Sequence, residues 1–306
     1  MKSEFKLHIL GKSSAIPTKT AFPSSQLLRF HNQSFLIDCG EGCQIQLRRN
    51  QLGFSEIRHI FISHLHGDHF FGLFGLLSSM RLLGRKQILH IYAHPKLETM
   101  VKFIFYQGGF MPDFPIVFHK LNFREKEKIF ANKQLDIYSF PMKHKVPVCG
   151  FLFQEKQAAR NIIEKQIESY DMSYQEIRRV KQGADLVRNG KLLAKNDDLT
   201  LESHPMRSYA YCSDTAYYPD MVNDIKGVKC MYHEASFGDD MKDKAEANYH
   251  STAREAAMIA KQAGAKKLIL GHFSTRYKSP DELISQARSV FPETYAANEN
   301  DIVVVE

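Results

Sequence analysis

The chain has 306 residues, of which 43% are hydrophobic and 25% charged, so one large domain or two smaller ones could bury a stable core. Lys and Arg outnumber Asp and Glu by 41 to 34, and the net charge of +7 favours a polyanionic partner without requiring one. The charged segment 1–6, the lack of any long apolar run and five cysteines without a C-x-x-C pair argue against a signal peptide, a membrane span and a disulfide framework, so we expect a cytoplasmic protein.

The first half of the chain predicts a sheet with a few helices. Strands are expected at residues 5–10, 27–30, 35–38, 57–62, 89–92, 116–118, 135–140 and 148–153. Helices are expected at residues 44–50 and 74–83, and a third begins at Pro95, because proline suits the first helical position.

Residues 154–207 differ in texture, with two predicted polar helices at 158–168 and 173–180 and few apolar residues that could join a core. We therefore predict that this segment is a flexible arm inserted into a single domain of residues 1–306. Beyond it, strands are expected at 209–212, 229–233, 268–270 and 302–305, and helices at 252–263 and 280–290. The order of elements lacks regular βα alternation and favours two packed sheets flanked by helices.

Four potential metal ligands follow the strand at 57–62 within six positions: His64, His66, Asp68 and His69. Imidazoles and a carboxylate at this spacing suit one or two zinc ions. A polar loop that happens to be rich in histidine is the alternative, but a chance cluster of this density is improbable in a chain with 14 histidines.

The remaining ligands should follow other strands, because loops at strand ends converge on a shared edge. His144, Asp214 and His272 each occupy such a position, although any one of them alone could be an ordinary surface or core residue. We assign His64, His66 and His144 to one zinc ion and Asp68, His69 and His272 to a second. Asp214 is expected to bridge the two ions, with a hydroxide formed from water as the nucleophile.

Several short motifs carry a resemblance to a known family. They are residues 64–69, 141–144 with 150–151, 213–215, 233–236, 250–252 and 271–277. Through them nearly the whole chain resembles the metallo-β-lactamase superfamily and, within it, the ribonuclease Z family of tRNA 3′-processing endonucleases. Two departures stand out: Ser236 replaces the usual threonine, and Ala21-Phe22 replaces Arg-Asn in the loop that the family uses for the substrate 3′ end.

The resemblance implies an α/β fold, a four-layer αββα sandwich, and a homodimer with two zinc ions per subunit that removes the 3′ trailer from precursor tRNA. The cut would follow the discriminator base and leave a tRNA 3′-hydroxyl and a trailer 5′-phosphate. Asp68 would accept a proton from the attacking water, His250 would protonate the leaving oxygen, and Glu234 would hold the imidazole of His250. A helix N-terminal position beside Ser251 is the alternative for His250.

Basic residues supply the expected RNA contacts. Lys19 and Arg276 are candidates near the site, and in the family a flexible arm at residues 154–207 grips the tRNA body. Its candidate contacts are Arg178, Arg179, Lys181, Arg188 and Lys191. Solvated surface charge is the alternative for all of them. Two other functions remain open: a small-molecule hydrolase of the same fold, such as an arylsulfatase or lactonase, and a nucleic-acid-binding protein with a structural metal.

Overall fold

A computed structural model describes residues 4–201 and 205–306. The chain divides into two compact units, the first formed by residues 1–130, 137–153 and 207–306 and the second by residues 131–136 and 154–206. None of the helices in the described ranges has the length and hydropathy that a membrane crossing requires.

Two seven-stranded mixed sheets form the first unit. Sheet 1 contains β1 (Phe5–Gly11), β2 (Ser25–Phe30), β3 (Gln33–Ile37), β4 (Ile57–Phe61), β5 (Leu89–Ala93), β6 (Ile116–Lys120) and β18 (Ile302–Val304), in the order β18-β1-β2-β3-β4-β5-β6. Sheet 2 contains β7 (Glu127–Ala131), β8 (Leu135–Pro141), β9 (Cys149–Glu155), β14 (Ser208–Cys212), β15 (Cys230–Glu234), β16 (Lys267–Gly271) and β17 (Thr294–Ala296), in the order β17-β16-β15-β14-β9-β8-β7.

The inner faces of the two sheets pack through aromatic rings. Phe35 of β3 lies 5.8 Å from Phe153 of β9, and Phe61 of β4 lies 5.4 Å from Phe151 of the same strand, between ring centroids. Because side chains alternate along a strand, neighbours such as Leu36 point to the opposite face.

Helices cover both outer faces. Those of the first unit are α1 (Cys43–Arg49), α2 (Gly67–Phe70), α3 (Gly72–Leu82), α4 (Lys96–Gln107), α8 (Lys242–Asn248), α9 (Ala253–Ala263) and α10 (Asp281–Arg288). Helices α1, α3 and α4 pack on sheet 1, and α9 and α10 pack on sheet 2. The predicted αββα architecture is therefore confirmed.

The second unit has a small core of its own. It contains β10 (Asn161–Ile162), α5 (Glu164–Ser169), α6 (Tyr174–Lys181), β11 (Leu186–Arg188), β12 (Lys191–Ala194), α7 (Asn196–Leu199) and β13 (Thr200–Leu201). Met172, Val180, Leu186, Ala194 and Leu199 are buried together, so the expectation that few apolar residues here could join a core is wrong.

One local prediction is wrong, and two elements were missed. The helix expected at 158–168 is replaced by β10 and the shorter α5, because Ile162 pairs with Thr200 across a strand ladder. The hairpin of β11 and β12 was missed, although its turn, Asn189-Gly190 with positive φ at both residues, is a strong hairpin signal. Helix α8 was missed because its sequence is almost wholly polar and buries only Ala245.

Candidate metal centre

Loops at the ends of four strands converge at one edge of the two sheets. The histidine-rich loop leaves β4, His144 follows β8, and Asp214 and His272 follow β14 and β16. His64, Asp214 and His272 are almost fully buried, so the loops enclose the polar side chains.

One set of donor atoms is formed by His64, His66, His144 and Asp214. The Nε2 atom of His64 lies 3.6 Å from Oδ2 of Asp214, and Nε2 of His144 lies 3.9 Å from the same oxygen. The Nδ1 atom of His66 lies 3.2 Å from Nε2 of His144. Three imidazoles and one carboxylate oxygen therefore face a common point.

A second set of donor atoms is formed by Asp68, His69 and His272. The Nε2 atom of His272 lies 3.3 Å from Oδ2 of Asp68, and Nε2 of His69 lies 3.6 Å from it. Oδ1 of Asp214 lies 3.3 Å from Nε2 of both histidines. The two oxygens of Asp214 thus face different sets, as a bridging carboxylate requires.

Hydrogen bonds behind the ligands orient the imidazoles. His69 donates from Nδ1 to Asp38 at 2.7 Å, and His144 donates to the carbonyl of Tyr249 at 2.8 Å. The Nδ1 atoms of His64 and His272 lie 3.1 Å and 3.0 Å from the hydroxyls of Ser63 and Ser236. In each of these four rings the proton is on Nδ1, where it is hydrogen-bonded. The lone pair of Nε2 is therefore free to bind a metal ion.

Asp38 is a supporting residue that the sequence reasoning missed. It is fully buried, and it accepts hydrogen bonds from His69, from the Tyr211 hydroxyl at 2.7 Å and from the backbone N–H of Ser63 at 2.8 Å. Its carboxylate directly follows β3, the same strand-end signal that identified Asp214. The sequence could have nominated it on that ground.

Burial and the neighbouring carboxylates act in opposite directions on the pKa values of the candidate ligands. Burial lowers the pKa of His64, His66 and His144, which favours the uncharged form that binds metals. For His69, burial is outweighed by the carboxylates of Asp214, Asp68 and Asp38, which raise its pKa. Burial likewise opposes ionisation of Asp214, yet the neighbouring histidines hold its pKa well below its usual range.

The residues fit a pair of zinc ions. Donor atoms around a tetrahedral zinc ion with bonds of about 2.05 Å lie roughly 3.3 Å apart, close to the separations of 3.2–3.9 Å here. Nε2 of His64, Nε2 of His69 and Oδ1 of Asp214 are buried without a hydrogen-bond partner in the described chain. A bound cation would satisfy all three of these buried atoms.

Glu234 and His250 lie beside the metal-ligand sets. Oε1 of the buried Glu234 accepts hydrogen bonds from Nδ1 of His250 at 2.9 Å, the N–H of Ser251 at 2.9 Å and the N–H of Thr215 at 3.2 Å. Burial opposes the charged imidazolium of His250, but Glu234 outweighs it and raises the pKa of His250 to about 9. Glu234 thus holds His250 next to Thr215, the residue that follows Asp214.

The centre opens into a cleft of about 570 Å³ that is lined by His66, His144 and His250. Arg276 also lines the cleft and is exposed, whereas Lys19 lies on an exposed loop outside the lining. Ala15 of that loop donates its N–H to Oδ2 of Asp68 at 2.8 Å. The loop is therefore attached to a candidate metal ligand.

Phe22, which belongs to the Ala21-Phe22 departure, anchors the other end of this loop. Its N–H donates to Glu299 at 2.5 Å, and the guanidinium of Arg49 lies 5.3 Å from its ring centroid. The ring lies so close to Gly42 that a Cβ there would approach it to 2.3 Å. A glycine at 42 is therefore required by the packing of Phe22.

The basic residues of the second unit differ in their availability. Arg178, Arg179, Lys181 and Lys191 are exposed. Arg188 is instead bound within the unit, because its guanidinium pairs with Glu176 at 2.6 Å and donates to two backbone carbonyls. Arg188 therefore has fewer free donor groups for an RNA phosphate than its exposed neighbours, and its RNA contact stays a prediction.

Comparison with known proteins gives consistent matches. Residues 5–158 match the family profile described as anti-Pycsar protein Apyc1, and residues 198–273 match the beta-lactamase superfamily domain. A protein named Ribonuclease Z from Bacteroides thetaiotaomicron is 42% identical over 302 residues, covering 99% of this chain and 96% of the relative. One from Porphyromonas gingivalis is 41% identical over 295 residues, covering 96% and 97%.

Solved structures show the same fold. Human tRNase Z, short form, has a TM-score of 0.72 and 25% identity over 98% of this chain and 99% of that chain. The metallo-beta-lactamase fold protein YhfI from Bacillus subtilis has a TM-score of 0.70 at 17% identity over 99% of this chain and 100% of that chain. With 42% identity to a curated member across 99% of its length, the chain belongs to the ribonuclease Z family and has the metallo-β-lactamase fold.

Proposed function

We propose that this protein is a zinc-dependent endoribonuclease that removes the 3′ trailer from precursor tRNA. The observation that carries the proposal is the position of Asp214, whose two oxygens face two ligand sets, beside a Glu234–His250 pair at the same cleft. The tRNA substrate is taken from the relatives named Ribonuclease Z and from human tRNase Z. The cut would follow the discriminator base.

Zinc ions held by the seven ligands would lower the pKa of bound water to about 7 and neutralise charge on the phosphate oxygens. The ligands are His64, His66, His144, Asp68, His69, His272 and Asp214. Asp68 would accept a proton from the attacking water, a role supported by the position of its Oδ2 atom 3.3 Å from Nε2 of His272 and 3.6 Å from Nε2 of His69.

His250 is the proposed proton donor to the departing oxygen. Its Nδ1 atom is bound to Glu234, so Nε2 is the ring nitrogen left for the substrate. As the oxygen of water joins phosphorus, the P–O3′ bond breaks and its electron pair goes to the 3′-oxygen, which takes the proton from His250. The products are a tRNA 3′-hydroxyl and a trailer 5′-phosphate.

Mapping both product ends tests this function. We expect the purified protein with zinc to cut a precursor tRNA transcript after the discriminator base, leaving the two ends described above, and to lose this activity when zinc is chelated. A 3′-phosphate on the tRNA product would contradict the assigned leaving group. Turnover of small esters with no cutting of precursor tRNA would favour a small-molecule hydrolase of the same fold.

The second unit is the proposed tRNA-binding arm, on the strength of its exposed basic side chains Arg178, Arg179, Lys181 and Lys191. Deleting residues 161–201 and joining the ends with two glycines should be geometrically feasible, because Asn161 and Leu201 pair across β10 and β13. We expect KM for precursor tRNA to rise about tenfold or more, since contacts with phosphates are lost. Turnover of bis(p-nitrophenyl) phosphate should stay within roughly twofold, because this small substrate has no tRNA body for an arm to bind.

A variant that keeps the arm but loses its basic side chains provides the control for the deletion. Replacing Arg178, Arg179, Lys181 and Lys191 by alanine should reproduce most of the rise in KM. Alanine at four exposed lysines of the first unit, Lys120, Lys226, Lys261 and Lys266, should not. Equal loss on both substrates after the deletion would refute the role of the arm.

We also propose that the protein is a homodimer. Large apolar side chains are exposed on α3 and α4, including Leu82 at 76%, Phe103 at 62% and Tyr106 at 75%. Exposed apolar surface of this kind is typical of an interface between subunits. We expect the unaltered protein to sediment as a dimer and a Leu82→Glu, Tyr106→Glu variant as a monomer, while Ile302→Glu, also at an exposed apolar residue, leaves the dimer intact. A monomeric unaltered protein would refute this assembly.

A further inference from the structure

One side of the cleft carries basic residues to which neither the motifs nor the proposed function assigns a role. We propose that Lys145 and Lys244 bind the RNA backbone phosphate on the tRNA side of the cut. This inference rests on the proposed function and names the part of the substrate that this side receives. We call Lys145, Lys244 and Asn248 the basic wall.

The basic wall is a connected structure at the rim of the cleft. All three of its residues line the cleft, and both lysines are exposed. Lys145 donates from Nζ to Oδ1 of Asn248 at 3.1 Å, and Asn248 donates from Nδ2 to the carbonyl of Lys244 at 2.9 Å. Asn248 therefore joins the loop after β8 to the end of α8.

The end of α8, which carries Lys244 and Asn248 of the basic wall, also positions His250. The N–H of His250 donates to the carbonyl of Ala245 in α8 at 2.9 Å. Between them Tyr249 adopts a left-handed conformation with φ of 58°, and its carbonyl accepts from Nδ1 of His144. One short segment thus fixes the proposed proton donor, a candidate metal ligand and the basic wall.

The chemistry of the cut decides which part of the substrate lies at this wall. The oxygen that His250 protonates is the 3′-oxygen of the discriminator nucleotide, so that nucleotide must lie against His250. The next phosphate on its 5′ side belongs to the tRNA and would lie toward α8, which ends two residues before His250 and lines the cleft beside it. The trailer is attached to the phosphorus atom through a different oxygen, so its phosphates do not lie on this side of His250.

The charge of the cleft suits a phosphate at this position. Its described lining includes Lys145, Lys244 and Arg276 as cations and contains no carboxylate. Neighbouring lysines differ in ways that make them matched controls. Lys143 lies in the same loop outside the lining, and Lys242 of α8 is within 4.0 Å of Glu246 and 3.9 Å of Glu255.

The test compares a Lys145→Ala, Lys244→Ala double variant with a Lys143→Ala, Lys242→Ala control in the full-length zinc-loaded enzyme. We expect KM for precursor tRNA to rise about tenfold in the first and little in the second. The slope of log KM against log salt should fall by about 0.7 for each phosphate contact that is lost from a single strand. Turnover of bis(p-nitrophenyl) phosphate should fall much less than kcat/KM for precursor tRNA, since this small diester has no phosphate on the 5′ side of the cut.

Inhibition by the product tRNA identifies the side of the cut. A mature tRNA that ends at the discriminator should inhibit the double variant more weakly, by the same factor as the rise in KM. Unchanged inhibition, or an equal rise of KM in the control, would overturn the proposal. Failure of the unaltered enzyme to cut precursor tRNA would instead overturn the proposed function, and this inference with it.

Discussion

Replacing Asp214 by asparagine is expected to lower kcat/KM on precursor tRNA at least about a thousandfold, which corresponds to roughly 4 kcal/mol of transition-state stabilisation. Oδ1 of Asp214 faces His69 and His272, while Oδ2 faces His64 and His144. An asparagine side chain has one neutral carbonyl oxygen where the aspartate has two oxygens that share a negative charge. It therefore cannot bind a metal ion in each of the two ligand sets. We therefore expect zinc bound per chain, measured by mass spectrometry after gel filtration, to fall from two to one or none.

Thermal unfolding distinguishes loss of metal from loss of fold. A ligand that binds only the folded state raises its stability, so zinc should raise the Tm of the unaltered protein and raise that of Asp214→Asn less. Asp220→Asn is the matched control, because Asp220 is exposed and lies six positions further along the chain. An Asp214→Asn variant that kept two zinc ions and near-normal turnover would refute the bridging assignment.

The sequence located the candidate centre because its ligands share a simple signal. His144, Asp214 and His272 each follow a strand, and the loops after these strands converge with the loop after β4. Asp38 carries the same signal, yet its carboxylate lies behind His69, where it orients the ring. A strand-end position alone does not distinguish a ligand from the residue that supports it.

Other features could not be predicted because they depend on packing between distant segments. Helix α8 has no apolar periodicity, so only the structure reveals that Ala245 and Tyr249 set the position of His250. Composition also treats Arg188 like its basic neighbours, although it is ion-paired with Glu176. The charge of a segment is readable from sequence, but the partner of each charge is not.

Replacing His250 by asparagine is expected to lower kcat on precursor tRNA by about 10²- to 10⁴-fold, the usual contribution of a positioned general acid. The imidazole is held at Nδ1 by Glu234, and Nε2 is the nitrogen available to the departing 3′-oxygen. An alkoxide is a poor leaving group, so without a proton its departure is slow. Zinc content should remain at two per chain, since His250 is not among the seven proposed ligands.

A substrate that leaves without a proton tests this role more sharply than activity alone. If sulfur replaces the 3′-oxygen at the cut, the departing thiolate needs little protonation, so His250→Asn should recover most of the rate of the unaltered enzyme. Glu234→Gln should recover less of its rate on the sulfur substrate. Oε2 of Glu234 also accepts the N–H of Ser236 at 2.8 Å, and the NH₂ group of a glutamine at that position would face this N–H without forming a hydrogen bond. Equal losses on the oxygen and sulfur substrates would show that His250 supports the centre rather than protonating the leaving group.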